Sequence, residues 1–429
     1  MALNTKPIIT SILDTDAYKL HMQQAVLHLY PNYTAVLEFH CRNGWEHLGW
    51  AAEAVREQVE YMQLLALTDE EYSYLASKRY FKKDYLDWLK SYRFNPKQVT
   101  VCTIPAADGE ADLSILIEGP WVETILWEVP LLAVVSEVVH RVRTPEVGAA
   151  EAEEHMKATL DAFFKKNSAD ELRSFFVTDF GTRRRYSAEV QEIVLKTLHS
   201  HPMFSSCLLG TSNYMLAMKL QLAPVGTQAH EWFQAHQQIA TNLRDFQRLA
   251  LKQWLVEYPQ DLLIALTDCI TMDSFIADFD ADLANAYGGV RHDSGDPFVW
   301  ARKVIAHYRA LNIDPRTKTL IFSDSLTLEK AAELHRTFSS EAKLAFGIGT
   351  NLTCSIPGVT PLNIVIKMKM FNGNPVAKIS DAPGKSTHNA TDFVRRLCET
   401  FGVAIPSNSL SPVQGAIPTG TLNNETQCA

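Results

Sequence analysis

Short apolar runs alternate with amphipathic stretches between about residues 175 and 350. Each run ends in a polar or glycine-bearing turn, and a pattern of period 3.6 follows it, as expected for a strand that leads into a helix. Continuous apolar runs of this length are typical of parallel strands that are buried on both faces. Six such strands are predicted, at Phe175–Val177, Cys207–Leu209, Leu262–Leu266, around Val290, Leu320–Phe322 and Leu344–Phe346.

This repeated strand–helix pattern predicts an α/β protein whose main unit is an irregular β/α barrel over residues 144–364. In such barrels the loops that follow the carboxyl ends of the strands line one mouth, and active sites lie there. The candidate residues discussed below, with the exception of Tyr18, fall on the rim that these loops form. We therefore expect them to gather at that mouth.

Residues 1–143 have a mixed pattern that predicts a separate N-terminal α+β domain. Residues 364–379 hold two alternating runs on either side of Asn372-Gly373, which predicts a hairpin, and we expect residues 365–405 to complete this domain. Residues 406–429 have few large apolar side chains and are predicted to be a disordered tail. The other predicted elements are helices at 17–29, within 53–91, at 131–142, 146–164 and 391–400, and strands at 34–41, 98–104 and 113–117.

The composition indicates a globular protein with a large core, because 46% of the 429 residues are hydrophobic. The formal charge is −9, and no basic block is longer than three arginines, which argues against nucleic acid as a partner. An anionic ligand would therefore have to be bound by local arginines rather than by the overall field.

The seven cysteines are scattered and include no CxxC pair, which argues against a disulfide framework or a zinc knuckle. No segment approaches the run of about 18 apolar residues that a membrane span needs, and residues 1–13 lack a signal-peptide pattern. We expect a soluble cytoplasmic protein without a membrane partner.

Gly226–Trp232 is a Gly-Thr turn that brings His230 to the first turn of a helical pattern running to about Tyr258. A helix start offers free N–H groups and a partial positive charge, so a phosphoryl group on or beside His230 would be stabilised there. The alternative is a histidine that is simply a satisfied surface or core residue.

Arg291–Pro297 places Asp293 and Asp296 three residues apart around a Ser-Gly bend, with Arg291 two residues before the first. Carboxylates in such a loop can hold Mg²⁺ through its waters and sugar hydroxyls directly, and the arginine can face a phosphate. The alternative is an Asp-rich turn that caps the helix beginning near Pro297.

Phe176–Arg185 is an apolar run that ends in an acid, an aromatic residue, a glycine and three arginines. A flat ring could stack on Phe180 while an arginine pairs with an acid on that ring. Two later strand-to-helix loops, Ser323–Ser325 with Asp324 and Gly347–Asn351, could hold a phosphate group.

These motifs, in their order along the chain, resemble the nicotinate phosphoribosyltransferase family. The resemblance implies a type II phosphoribosyltransferase-like barrel that makes nicotinate mononucleotide from nicotinate and 5-phosphoribosyl 1-diphosphate in NAD salvage, with Mg²⁺ and with ATP as co-substrate. It rests on Asp16–Lys19, Asp179–Arg183, Gly210–Asn213, Gly226–Trp232, Arg291–Pro297 and Phe346–Asn351.

The resemblance also implies roles for single residues. Tyr18 and Phe180 are expected to sandwich the pyridine ring, and it is left open whether Tyr18 comes from a neighbouring subunit of a homodimer with a shared active site. Arg183 and Arg291 are expected to face the base and the phosphoribosyl group, with Thr227 close by.

On the same grounds Asp293 is expected on the ribose or its metal, and Thr350 with Gly347 and Gly349 on the phosphate. His230 is the position that the family phosphorylates from ATP. A phosphohistidine adds close to two negative charges, and its formation and hydrolysis can switch a site between tight and loose binding.

Ser212 bears on the choice between an acid and an amide substrate. Relatives that use nicotinamide carry an aspartate at the position of Ser212, whereas Ser212 and Asn213 are uncharged and tolerate a carboxylate. We therefore favour nicotinate. The alternatives are a nicotinamide or quinolinate phosphoribosyltransferase and a non-catalytic barrel that binds pyridine nucleotides.

Overall fold

The computed structural model of the chain describes residues 6–44, 46–168, 170–380, 386 and 391–406. Of the predicted disordered tail, residues 407–429 lie outside this part of the chain. The strands are β1 (Thr34–Cys41), β2 (Val99–Pro105), β3 (Ala111–Pro120), β4 (Val177–Asp179), β5 (Leu208–Thr211), β6 (Ala223–Pro224), β7 (Ile264–Leu266), β8 (Gly289–His292), β9 (Thr319–Phe322), β10 (Lys343–Ile348), β11 (Ile364–Phe371) and β12 (Asn374–Pro375).

The helices follow the amphipathic stretches between these strands, together with short 3₁₀ turns. They are α1 (Ala17–Leu29), α2 (Ala52–Met62), α3 (Asp69–Ala76), α4 (Lys83–Ser91), α5 (Trp121–Thr124), α6 (Glu128–Arg143), α7 (Ala149–Lys166), α8 (Ala188–Ser200), α9 (Tyr214–Leu220), α10 (His230–Ile239), α11 (Phe246–Glu257), α12 (Met272–Asp278), α13 (Ala281–Ala286), α14 (Pro297–Ala310), α15 (Leu328–Phe338), α16 (Thr350–Thr353) and α17 (Thr391–Phe401). Within the described residues, none of these helices is long and apolar enough to cross a membrane.

Seven parallel strands form a curled half-barrel with the order β6-β5-β4-β10-β9-β8-β7. The six predicted parallel strands are confirmed, and β4 lies two residues later than its apolar run. The seventh strand, β6, has only two residues, which is too short to leave a periodic pattern in the sequence.

The two edges of this sheet are joined by side chains. Thr227 Oγ1 and Gln228 Nε2 both donate hydrogen bonds to the carbonyl of Ile264, at 3.0 and 3.2 Å. The loop after β6 is thereby fixed to β7, and this loop leads directly to α10. The edge contact therefore sets the position of His230 at the helix start.

An antiparallel sheet with the order β12-β11-β1-β3-β2 lies beside the barrel. The predicted hairpin is confirmed, since Met370 pairs with Pro375 and Phe371 with Asn374. Strand β11 also pairs with β1 along most of its length, from Ala35 to Cys41. This pairing supports our proposal that the domain of residues 1–143 is completed by residues 365–405, with the barrel domain at 144–364.

The helical pattern from His230 to Tyr258 is not one helix, and the prediction of a single long helix is wrong. Helix α10 ends at Ile239, and Asn242 then accepts a hydrogen bond from the amide of Arg244 to begin a new turn before α11. The break folds the two helices against each other, with the Trp232 and Trp254 rings 5.4 Å apart. A hydrophobic pattern that continues in phase cannot reveal such a break.

Candidate active site

A cleft of about 530 Å³ lies between the carboxyl ends of the parallel strands and the antiparallel sheet. The barrel contributes the loops after its strands, and the antiparallel sheet contributes side chains from β1 and β11. Of the fourteen residues predicted from the sequence, ten line it: Tyr18, Phe180, Arg183, Ser212, His230, Arg291, Asp293, Asp324, Gly349 and Thr350.

The other four predicted residues support the cleft from outside its lining. Asn213 donates a hydrogen bond from Nδ2 to Asp14 and caps α9 with its side-chain oxygen. Thr227 joins the two edges of the barrel sheet. These two residues therefore act on the framework, and the structure does not bring them to the cavity surface.

Asp296 and Gly347 also differ from their predicted roles. Asp296 is exposed outside the cleft, and its Oδ1 accepts the amide of Val299 at 2.8 Å, which is the capping alternative. Gly347 leaves room for an aromatic ring, because a Cβ at this position would lie 2.2 Å from Phe180 Cδ2. Asp296 is thus a helix cap, and Gly347 determines where the Phe180 ring can lie.

His230 stands at the first position of α10 with its imidazole held between two carboxylates. Its Nε2 is 2.9 Å from Asp268 Oδ1, and its Nδ1 is 3.7 Å from Asp293 Oδ2. Burial lowers the pKa of the imidazole to about 4, and Lys378 adds to the lowering while Asp268 opposes it. The ring is therefore neutral at pH 7. The neutral ring carries its proton on Nε2, which donates a hydrogen bond to Asp268. The lone pair of Nδ1 then faces the cleft.

Asp268, which we had not predicted as a site residue, orients this histidine. Its Oδ2 accepts hydrogen bonds from Ser294 Oγ at 2.6 Å and Lys378 Nζ at 2.8 Å. Burial would raise the pKa of Asp268, but Lys378 and His230 hold it well below its usual range. The acid lies two residues after the predicted strand Leu262–Leu266, and this position was the signal in the sequence that could have identified it.

Arg183 lines the cleft close to two buried acids. Its Nε is 3.7 Å from Asp16 Oδ2, and its Nη1 is 3.8 Å from Glu128 Oε1. Asp16 also accepts a hydrogen bond from Ser212 Oγ at 2.7 Å. Burial raises the pKa of Asp16 although Arg183 opposes the shift. Asp16 and Glu128 are site residues that sequence reasoning missed, although Asp16 lies within a recognised motif.

The three consecutive arginines have three different surroundings. Arg183 and Arg184 line the cleft, and Arg184 Nε also donates to the carbonyl of Ile364. Arg185 is fully buried and makes a bidentate ion pair with Asp14, at 2.7 and 2.8 Å. Two of the three are thus available to a ligand in the cleft, and the third belongs to the framework beneath it.

Cations from several elements make the cleft suitable for anions although the whole chain is acidic. Arg42 comes from the end of β1 and Lys367 from β11, and both line the cavity with Arg291 and Lys378. Burial lowers the pKa of Lys367 to about 8, although Glu128 opposes the shift. The antiparallel sheet and the residues next to its strands therefore contribute cationic side chains to the cleft, which no local pattern in the sequence indicated.

Among the residues that the structure describes, one group of side chains could hold a metal ion. Ligand atoms of His230, Asp268 and Asp293 lie within 4.8 Å of one another. Mg²⁺ prefers oxygen ligands and usually keeps several waters. Because Asp268 already binds Lys378 and Ser294, the carboxylate left for such an ion is Asp293, whose side chain is 29% exposed.

Comparison with known proteins agrees with this geometry. The model of the nicotinate phosphoribosyltransferase N-terminal domain matches residues 13–136, and the model of the nicotinate phosphoribosyltransferase family matches residues 175–405. The chain belongs to the nicotinate phosphoribosyltransferase family. The resemblance noted from the sequence motifs is confirmed, and with it the assignment of the chain to a family of enzymes.

Relatives in this family match the chain over nearly its whole length. Nicotinate phosphoribosyltransferase of Pectobacterium carotovorum is 55% identical over 402 residues, which are 94% of this chain and 98% of the relative. The crystal structure of nicotinate phosphoribosyltransferase from Vibrio cholerae superposes with a TM-score of 0.89 at 40% identity, covering 94% of this chain and 96% of that one. The structure from Porphyromonas gingivalis gives 0.83 at 35% identity, covering 92% and 100%. The predicted fold class is thereby confirmed.

Proposed function

We propose that the chain transfers a phosphoribosyl group from 5-phosphoribosyl 1-diphosphate to nicotinate and couples this transfer to ATP hydrolysis through a phosphoryl group on His230. The products are nicotinate mononucleotide and pyrophosphate, a step of NAD salvage. The observation that carries the proposal is the His230 ring, which Asp268 holds at Nε2 while Nδ1 faces the cleft that Phe180 and Asp293 share.

The base is bound at the Arg183 end of the cleft. Phe180 offers a ring face for stacking, and Arg183 offers a guanidinium to the carboxylate of nicotinate. Tyr18 of the same chain also lines this cavity, so the sandwich can be completed without a second subunit. A homodimer with a shared site stays a prediction.

The transfer itself asks for placement and charge more than for covalent chemistry. The bond from ribose C1 to the pyrophosphate oxygen breaks, and a bond forms from C1 to the ring nitrogen of nicotinate. Asp293 is suited to the ribose hydroxyls, and Thr350 and Gly349 at the start of α16 to the 5′-phosphate. Arg291, which lines the cavity, is suited to the departing diphosphate.

The same carboxylate would hold Mg²⁺ together with oxygens of the diphosphate. Burial would raise the pKa of Asp293, but the positive charges of Arg291 and Lys378 lower it, so the group is charged at neutral pH. When bound, the ion supplies positive charge that stabilises the developing negative charge on the pyrophosphate. We assign this role to Asp293, with Asp324 as a neighbour in the cleft lining.

The coupling step takes place on His230. The lone pair of Nδ1 forms a bond to the γ-phosphorus of ATP, and the bond from that phosphorus to the bridging oxygen of ADP breaks. Asp268 accepts the hydrogen bond from Nε2 and stabilises the phosphorylated ring. Water later takes the phosphoryl group, inorganic phosphate leaves, and the neutral imidazole is restored.

Preference for the acid over the amide follows from the polar groups at Ser212. The Ser212 hydroxyl donates its hydrogen bond to Asp16, and this position carries no carboxylate to accept from the amide N–H₂ of nicotinamide. A buried polar group left unpaired costs about 1–3 kcal/mol. Arg183 favours a carboxylate on the base, and the assay below distinguishes nicotinate from quinolinate.

The proposal is tested by steady-state assays of purified protein with 5-phosphoribosyl 1-diphosphate, Mg²⁺ and each of the three bases. Nicotinate is expected to be the preferred substrate, with ADP formed alongside nicotinate mononucleotide. The variant His230→Asn is expected to retain slow transfer but to form no ADP with it. Equal turnover of nicotinamide, or unchanged ADP formation in the variant, would contradict the proposal.

A further inference from the structure

Lys19 is a fully buried cation that belongs to a recognised motif but has no role in the reaction described above. It lies in the first turn of α1, and its Nζ is 2.5 Å from Glu128 Oε2 and 2.5 Å from Glu231 Oε2. Both glutamates line the cleft, whereas Lys19 lies behind them. One ammonium group is therefore shared between two acids of the cleft wall.

One of these acids is tied to the histidine. Glu231 follows His230 directly in the first turn of α10, so a shift of this turn moves both side chains together. The second oxygen of Glu231 accepts a hydrogen bond from Trp121 Nε1 at 2.8 Å. Glu231 thus connects the helix start, at which the phosphoryl group would be carried, to Lys19.

The other acid is tied to the base-binding end. Glu128 is the first residue of α6, and its Oε1 is 3.8 Å from Arg183 Nη1. One oxygen of Glu128 therefore faces Lys19 and the other faces Arg183, so this acid contacts both cations. The continuous series of charges runs from Glu231 through Lys19 and Glu128 to Arg183.

We propose that Lys19 is a positioning residue that couples the state of His230 to the binding of the base at Arg183. This inference rests on the proposed function, because it requires a phosphoryl group on His230. Such a group adds about 1.5–2 negative charges one residue from Glu231. Repulsion shifts Glu231, and Lys19 Nζ either moves with it or loses this contact. Both changes alter the ion pair between Lys19 and Glu128 and thereby the contact of Glu128 with Arg183.

A purely structural role for this ion triad predicts different behaviour. Replacing a buried ion cluster by apolar side chains often leaves stability unchanged or higher, so stability alone does not identify the role of Lys19. Coupling between two ends of a site is measured by the effect of one ligand on the binding of the other, and it is reciprocal. The distinguishing readout is therefore the effect of ATP on nicotinate binding.

The test compares the KM for nicotinate with and without ATP in the natural protein, in Lys19→Met and in the control Lys82→Met. Lys82 also pairs with a buried acid, Glu257, but Glu257 does not line the cleft, whereas both acids paired with Lys19 do. In the natural protein and the control we expect ATP to lower the KM by a factor of about 5–150, the usual range for such coupling. In Lys19→Met we expect this factor to fall close to one while His230 still takes up phosphoryl label.

A factor in Lys19→Met equal to that of the natural protein would overturn the inference, and so would loss of phosphoryl label on His230. If Lys19→Met does not fold, Glu231→Gln tests the same series of charges, with the same expected loss and the same contradicting result. If the natural protein itself shows no label and no ATP effect, the proposed coupling through His230 fails, and this is evident before any variant of Lys19 is made.

Discussion

Replacing Asp268 by asparagine tests how His230 is prepared for phosphoryl transfer. The carboxylate has one oxygen on His230 Nε2 at 2.9 Å and the other on Lys378 Nζ and Ser294 Oγ, at 2.8 and 2.6 Å. Asparagine keeps the shape but replaces one acceptor by an N–H₂ group that can only donate. Whichever way the amide turns, one of its former partners faces a donor.

Two effects of different size follow from this geometry. Lys378, whose side chain is only 5% exposed, loses its ion-pair partner, and breaking a buried pair in this way costs about 3–5 kcal/mol of stability. Because the Lys378 ammonium can only donate, the amide oxygen stays on its side and the N–H₂ group faces the imidazole, which loses the acceptor that fixes its tautomer. The corresponding change in a Ser-His-Asp triad lowers turnover by about 10⁴-fold. We expect phosphorylation of His230 to fall by up to about that factor.

The assay combines rapid-quench labelling from ATP with urea unfolding, on Asp268→Asn alone and with Lys378→Met added. The second substitution removes the unpaired ammonium, so it should recover much of the lost stability without restoring the labelling rate. A folded Asp268→Asn protein that labels His230 at the natural rate would refute the orienting role of the carboxylate.

Three further predictions follow from the same structure. Gly347→Ala should raise the KM for nicotinate and lower the free energy of unfolding by about 1–3 kcal/mol, because its Cβ would lie 2.2 Å from the Phe180 ring. The control Gly288→Ala, whose Cβ would have its nearest atom at 3.5 Å, should change neither quantity. Equal changes of KM and melting temperature in the two variants would contradict this prediction. Asp296→Ala should lower the melting temperature through loss of a helix cap worth about 0.5–2 kcal/mol, and a changed Mg²⁺ requirement would contradict its assignment as a cap. Burial lowers the pKa of His236 to about 4, so the unfolded chain takes up a proton at about pH 6.5 that the folded chain does not. The free energy of unfolding should therefore fall as the pH decreases from 6.5 towards 4, and this histidine contributes about 1.4 kcal/mol per pH unit to the fall. In urea unfolding, His236→Gln should show a correspondingly smaller fall with pH. The same dependence of unfolding free energy on pH in the variant and the natural protein would contradict this prediction.

The sequence was sufficient to predict the elements whose buried residues form a clear pattern along the chain. Continuous apolar runs identified six strands of the barrel, and the polar residues directly after them, such as Asp293 and Asp324, were correctly expected at one mouth. The helix break after Ile239 was missed, because the hydrophobic pattern continues across it. A local hydrophobic pattern indicates which face of an element is buried, but it does not indicate where a helix ends and the chain changes direction.

Long-range partners were the other part that the sequence did not reveal. Lys378 reaches Asp268 across 110 residues of chain, and Lys367 and Arg42 come from a sheet that assembles from both ends of the described chain. Nothing near these residues distinguishes them from surface cations. Asp296 shows the converse case, since a carboxylate in a promising loop can serve its own helix instead.

The central claim is that the imidazole held by Asp268 carries a phosphoryl group beside the site of transfer. It is tested most directly by incubating the protein with ATP labelled at the γ-phosphate and mapping the acid-labile, base-stable label by peptide analysis. The account predicts label on His230 that is absent from His230→Asn and is discharged when nicotinate and 5-phosphoribosyl 1-diphosphate are added. Label that persists in the variant, or that is found on another residue, would contradict it.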